Sequence, residues 1–411
     1  MATTLYRNVR IWDASRDAPV DGEVLVEDDR IVEVSDQCIE AAESKVIDGR
    51  GGVLMPGLID CHCHVMISDV NPRRLEDVPP TLMTAMAAET TKDLLMRGFT
   101  SIRDCGGADW GLAAAIERGL FPGPRVFASG RALSQTGGHG DFRRRTASGL
   151  EPCGCSSAAG YASRIADGIT GVRQAARDEL RLGASQIKVM VSGGVASPHD
   201  PIDNRQYSAE ELRAIVEEAA AWNTYVAAHS YTSASTTHAV ECGVRTIEHG
   251  NLIDAATARL MARRDAFLVP TLAAFDVLER IGPDLGLPPA SLAKANEVSG
   301  AGRAAIELCR AAGTKIGFGS DLLGAFHDMP SRGLVLQAEA QTNREVLASA
   351  TAVNAEILNR SGTLGVIAEG AKADILVVAG DPLEDIGLLE APGRNLSVIM
   401  QDGRLVKNEL G

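Results

Sequence analysis

Eight short apolar runs alternate with helical stretches through the middle of the 411-residue chain, and that alternation constrains the fold more than any other feature. Strands separated by helices imply βα units around a parallel sheet, because parallel neighbours need a long crossover connection. The candidate strands are 53–59, 99–103, 125–129, 186–191, 224–228, 245–247, 267–270 and 315–318. Helical stretches fall between them, as at 208–219, where Ser208 with Glu211 three residues on makes a capping box. Sequential βα units joined by right-handed connections predict an α/β fold of the (β/α)8 TIM-like barrel type, with chemistry on the loops after the strands' carboxyl ends. An open, doubly wound sheet is the alternative.

The two ends have another texture. Short pieces alternating apolar and polar residues, such as Val9-Arg10-Ile11-Trp12 and Arg30-Ile31-Val32-Glu33-Val34, recur at the far end in Leu396-Ser397-Val398-Ile399-Met400. That pattern belongs to antiparallel strands. Residues 1–56 plus 371–411 are therefore expected to form a small β-sandwich beside a barrel of residues 57–370, a division that suits the chain length. A net charge of −14 argues against a nucleic-acid surface. No basic leader precedes an apolar stretch, and no apolar run is long enough to span a bilayer, so no membrane partner and a cytoplasmic location are expected. The eight cysteines are spread along the chain and read as reduced, mostly buried thiols. Cys153-Gly154-Cys155 looks like half of a metal knuckle without a second pair.

Candidate chemistry begins at Pro56-Gly57-Leu58-Ile59-Asp60-Cys61-His62-Cys63-His64. In an extended strand His62 and His64 share one face while Cys61 and Cys63 share the other, so the imidazoles form a two-toothed clamp for a metal unless they are a coincidental pair. Lys188 sits in an apolar strand, where a cationic amine is costly to bury. A neutral amine there can add carbon dioxide to become a carbamate, a carboxylate on a long arm; a lysine paired to an acid is the plainer reading. His229 and His249 end two successive candidate strands, and Asp321 ends another. His62, His64, Lys188, His229, His249 and Asp321 together suit two borderline divalent cations, with Zn2+ the default and Mn2+, Co2+ or Fe2+ possible.

These residues carry a resemblance. With Ala228-His229, Ile247-Glu248-His249-Gly250, Gly317-Phe318-Gly319-Ser320-Asp321 and Gly370-Ala371-Lys372-Ala373-Asp374-Ile375, the chain resembles the amidohydrolase superfamily along essentially its whole length, in its binuclear subtype with a carboxylated lysine. The resemblance implies that His62, His64 and Asp321 hold the more buried metal, that His229 and His249 hold the more exposed one, and that N6-carboxylated Lys188 bridges them. It also implies hydrolysis by a hydroxide shared between the metals, with Asp321 as acid and base. His139, in the glycine-rich Thr136-Gly137-Gly138-His139-Gly140, and Tyr231 are candidate donors to the carbonyl oxygen.

Within that superfamily, Ser192-Gly193-Gly194-Val195-Ala196-Ser197-Pro198 and His229-Ser230-Tyr231-Thr232 look most like a group of dipeptidases and carboxypeptidases acting on Xaa-Pro dipeptides and N-acyl-prolines. Relatives of that group cleave C-terminal Arg or Lys, or the aromatic amide of ochratoxin. Tyr231 fits the prolidase-like pattern. The expected partner is thus a small peptide or N-acyl amino acid, and the expected assembly a homo-oligomer. Arg143, Arg144, Arg145 or Arg205 could meet the substrate carboxylate. A mononuclear deaminase or imidazolonepropionase-type hydrolase is the rival, and it would have no need of Lys188.

Overall fold

Pairing of the chain's two ends is the first thing the alternating segments produce. The computed structural model describes residues 3–70, 74–143, 159–197, 200–281, 289–326 and 329–411; Arg144, Arg145, Cys153, Cys155 and Pro198 lie outside them. The early segments form β1 (Thr3–Ile11), β2 (Val20–Glu27), β3 (Arg30–Ser35), β4 (Lys45–Asp48) and β5 (Val53–Pro56). The central strands are β6 (Leu58–Cys63), β7 (Phe99–Asp104), β8 (Arg125–Ala128), β9 (Ala132–Ser134), β10 (Ser163–Ile165) and β11 (Ile187–Met190). They continue with β12 (Val226–Thr232), β13 (Thr246–Leu252), β14 (Phe267–Val269) and β15 (Lys315–Ile316). The chain closes with β16 (Ile375–Val378), β17 (Leu396–Gln401) and β18 (Arg404–Asn408).

The terminal strands make one hydrogen-bonded sheet, ordered β18-β17-β16-β5-β1-β2-β3 with β4 beside β1. Its two far ends share one apolar core, since Val24 and Ile31 pack in the same cluster as Val398 and Met400. The sheet therefore curls back upon itself. Its other face joins Trp12, Met55 and Leu376 with Phe99 and Ile102 of β7, so it is welded to the central strands by apolar burial.

The central strands pair in parallel, β6-β7-β8 in one sheet and β10-β9-β11-β12-β13-β14-β15 in another. Helices such as Gly168–Arg181, Ala209–Ala221 and Ser233–Glu241 fill the connections. The capping box at Ser208 is formed, with Ser208 accepting from Glu211 N–H and Glu211 accepting from Ser208 N–H. Backbone hydrogen bonds also join the two sheets at both margins. Cys61 N–H donates to Phe318 C=O at 2.9 Å, and Ser185 N–H donates to Ala128 C=O at 2.7 Å.

One expected strand divides. The run 53–59 is not a single parallel strand: Val53–Pro56 is β5 of the terminal sheet, and the parallel strand begins at Leu58. The elbow is Gly57, whose N–H bonds Asp374 C=O at 2.9 Å while Thr100 presses on its Cα. A Cβ there would stand 2.1 Å from Thr100 Oγ1, so glycine is required by the close approach. Strands β12 and β13 also run on beyond 224–228 and 245–247, because ladder pairing continues through His229↔Glu248 and Ser230↔His249.

Cys61 and Cys63 are fully buried, turned towards Asn354 C=O and Arg103 C=O respectively, as strand alternation predicts. The six described cysteines are free thiols, Cys38 alone among them exposed. No described helix is long and apolar enough to cross a membrane. Asn354 clamps one margin between the sheets: its amide donates to Ile59 C=O at 2.7 Å and Phe318 C=O at 2.8 Å, and its Oδ1 accepts from Phe318 N–H at 3.0 Å. Asn354→Ala should leave these buried backbone groups short of partners and cost about 3 kcal/mol, read as a fall in the denaturant midpoint with little change in slope.

Candidate active site

Strands β6, β11, β12 and β13, the residue after β6 and the turn after β15 bring the six candidate ligands together around one cavity. His62 and His64 share a face, as period-two alternation requires, with ring centroids 5.2 Å apart. Asp321 Oδ1 lies 3.4 Å from His62 Nε2 and 3.3 Å from His64 Nε2. His249 is the third imidazole beside that carboxylate, 3.8 Å away. His229 Nδ1 and His249 Nε2 are 2.9 Å apart, and Lys188 Nζ lies 3.4 Å from His62 Nε2. His229 and His249 are as buried as His62, whereas His64 and Asp321 are partly open, so burial does not sort the six into an inner and an outer half.

Two of these residues hold an unusual backbone conformation. His249 has φ 74° and Asp321 φ 53°, both in the left-handed region that side chains rarely adopt. The kink at His249 breaks strand alternation, so Glu248 and His249 both reach His62 although they are neighbours in one strand. Glu248 is the residue that sequence reasoning missed. Its Oε2 is 2.7 Å from His62 Nδ1, and its Oε1 accepts from Arg103 Nη2 at 2.7 Å and from Thr246 Oγ1 at 2.6 Å. Burial opposes its charge, but the Arg103 guanidinium and His62 hold it well below the ordinary carboxylate range.

The donor set fits divalent cations. His62, His64 and Asp321 offer three donor atoms within 4.8 Å of one another. Burial pushes His229 and His249 well below the ordinary imidazole range, which keeps them in the neutral form that binds metal. Asp321 is held well below the ordinary carboxylate range by His62 and His64 against the pull of burial, so it is ionised. The Glu248 contact leaves His62 Nε2 facing the cluster, the arrangement of a carboxylate-supported ligand. A second grouping, His62 with Cys105 and Glu248, is weaker, because burial pushes the Cys105 thiol up to about 12 and Glu248 is committed to Arg103. Lys188 is 2% exposed, and no carboxylate lies within ion-pair distance of it among the described residues.

His139 and Tyr231 stand over this floor. The His139 ring stacks on His229 at 4.4 Å, and Tyr231 stacks on His249 at 5.1 Å with Phe275 at its edge. The cavity of about 140 Å3 has walls of Ile67, Val70, Phe142, Met190, Phe275 and Phe326. Arg143 and Arg205 are not in its wall: Arg143 pairs with Asp141, and Arg205 is exposed. Glu248→Gln should therefore loosen His62 and weaken metal retention by roughly 10–100-fold, measured by competition with a chelator. Cys61→Ala and Cys63→Ala should leave metal content intact, since both thiols face away.

Residues 53–406 match the Amidohydrolase family. The chain is 33% identical over 372 residues to ochratoxinase of Aspergillus niger, an alignment covering 87% of this chain and 76% of that protein. Among solved structures, a prolidase complexed with N-methylphosphonate-L-proline superposes with TM-score 0.96 at 50% identity, covering 99% of this chain and 100% of that one. The A. niger ochratoxinase structure superposes with TM-score 0.87 at 30% identity, covering 99% and 96%. With a histidine-rich floor, an apolar cavity and likeness spanning nearly the full length, the chain belongs to the amidohydrolase family, near its prolidases and ochratoxinases, as a hydrolase of amide bonds.

Proposed function

We propose that the enzyme hydrolyses the amide bond next to a C-terminal amino acid, with Xaa-Pro dipeptides or N-acyl-prolines as its substrates. The convergence of His62, His64, Lys188, His229, His249 and Asp321 at the floor of an apolar cavity carries the reading. The likeness to a prolidase with a phosphonate-proline ligand supports the choice of proline. The parallel strands are read as a closed (β/α)8 barrel, residues 57–370, rather than an open sheet. The backbone bonds between Cys61 and Phe318 and between Ser185 and Ala128 support this. Residues 1–56 and 371–411 form the accessory unit.

In this reading His62, His64 and Asp321 would hold one divalent cation and His229 and His249 a second, with N6-carboxylated Lys188 as a ligand they share. When bound, the cations, with Zn2+ the default, supply an acidified water and a Lewis-acid partner for the scissile carbonyl. Asp321 accepts a proton from the attacking water and delivers it to the leaving nitrogen. His139 and Tyr231, above the floor, donate to the carbonyl oxygen as negative charge develops there.

The cavity wall bears on the choice of substrate. Asp321 is the one acidic side chain among its described lining residues, and it faces His62 and His64, which disfavours a C-terminal Arg or Lys. An apolar wall suits aromatic N-acyl amino acids too, and the likeness to ochratoxinase makes those the second reading. Lys188 inside the cluster disfavours a mononuclear deaminase.

A library of Xaa-Pro dipeptides, N-acyl-prolines, aromatic N-acyl amino acids and Xaa-Arg/Lys should show turnover concentrated in the first two classes. Failure on all proline compounds would overturn the substrate choice. Lys188→Ala should lower kcat at least 100-fold, cut metal content from about two per chain, and recover partly with added short carboxylic acids. One metal per chain and full activity in that variant would sink the binuclear reading. His139→Ala should cost roughly 100–1,000-fold in kcat.

A further inference from the structure

The His139 ring is held on three sides. One face stacks on His229, with ring centroids 4.4 Å apart and planes 16° from parallel. The ring also lies close against Gly194, where a Cβ would stand 2.2 Å from the ring's Cε1 and 2.5 Å from Nε2. Only a glycine lets the ring in. A ring stacked and crowded in this way keeps one freedom, which of its two nitrogens faces the cavity. Asp200 settles that.

Asp200 is buried, and its Oδ2 lies 3.2 Å from His139 Nδ1. The same oxygen accepts from Gly194 N–H at 3.0 Å, so the carboxylate is tied to the glycine under the ring. Burial pushes this carboxylate up, but His139 beside it prevails and holds it below its ordinary range, so it stands as the acceptor. His139 is fixed from its backbone as well, through its N–H to Gln206 Oε1 at 2.9 Å. Lys294, on helix Pro289–Ser299, then straps the segment that carries Asp200. Its ammonium donates to Gly194 C=O at 3.0 Å, to Ser197 C=O at 2.7 Å and to Asp200 C=O. An ammonium spent on three carbonyls of one segment is a structural tether, with all three of its donors used.

We propose that Asp200 is the positioning residue for His139, holding the ring by Nδ1 so that Nε2 is presented to the substrate's carbonyl oxygen. His139 Nε2 has no protein partner among the described residues, and His139 lines the cavity. A carboxylate acceptor at Nδ1 fixes which ring nitrogen is turned to the cavity. Asp200 lines no part of the cavity and acts through His139 alone. The inference rests on the reading of His139 as a donor.

The test is a double-mutant cycle on the metal-loaded enzyme with an N-acyl-proline, together with metal analysis. Asp200→Asn should lower kcat about 10–100-fold with KM within about twofold and metal content unchanged, and should cause no further loss in a His139→Ala background. An equal loss in that background, a loss carried by KM, or an unchanged kcat in Asp200→Asn would overturn the proposal. Unchanged kcat in His139→Ala alone would instead overturn the donor reading and remove the proposal with it. A second measurement needs no variant at 200: in the wild-type enzyme, the imidazole signal absent from His139→Ala should show a downfield proton on Nδ1. A proton on Nε2 with Nδ1 bare would overturn the assignment.

Discussion

A single buried ion pair orders the centre of this protein. Arg103 and Glu248 are both fully buried, 2.7 Å apart, on β7 and β13. Two charges removed from water are costly, and the cost is recovered only where every donor and acceptor is engaged. Here the guanidinium also reaches Cys61 C=O at 2.5 Å and Thr246 Oγ1 at 3.1 Å, while Glu248 takes His62. The pair thus joins β6, β7 and β13 from inside. It also dictates which nitrogen of His62 faces the cavity, so the orientation of a candidate ligand is settled by a charged group on another strand. Chelating geometry and fold stability are one problem at this point.

Much of this was legible in the chain, for identifiable reasons. Period-two alternation placed His62 and His64 on one face and the two cysteines on the other, a relation that holds although the β6–β7 register shifts at two points. All eight central runs became parallel strands, though the first had to shed Val53–Pro56 to the terminal sheet. The elbow at Gly57 could not be read locally, since it depends on Thr100 and Asp374, far along the sequence. Glu248 was hidden by the same rule that revealed His64. Alternation sends it to the face opposite His249, and only the left-handed backbone at His249 brings both inward. Asp200 lies 61 residues from His139 in a segment without a regular period, so nothing in the spacing joined them.

Between floor and wall the cavity changes character within a few ångströms. The floor holds imidazoles, an amine and a carboxylate, and the wall is aliphatic and aromatic. Apolar walls exclude water and lower the local dielectric, which strengthens each interaction that the floor makes with a polarised carbonyl. The same walls offer a substrate side chain chiefly burial, with the hydroxyls of Ser163 and Ser291 as polar points. Recognition by contact area and activation by charge are thus divided between two surfaces of one cavity.

The terminal sheet sets an order of events in synthesis. β1 and β5 leave the ribosome early, yet β16, the neighbour on which β5 closes in antiparallel register, is encoded more than 300 residues later. Until it arrives, β5 has an open edge and Met55 and Leu54 lack their facing residues. The central strands must therefore assemble while the leading segment waits, exposed, for the tail of the chain. A ribosome that stalls before residue 375 would release the central strands with an unpaired, apolar strand edge, a substrate for chaperones and proteases rather than a truncated catalyst.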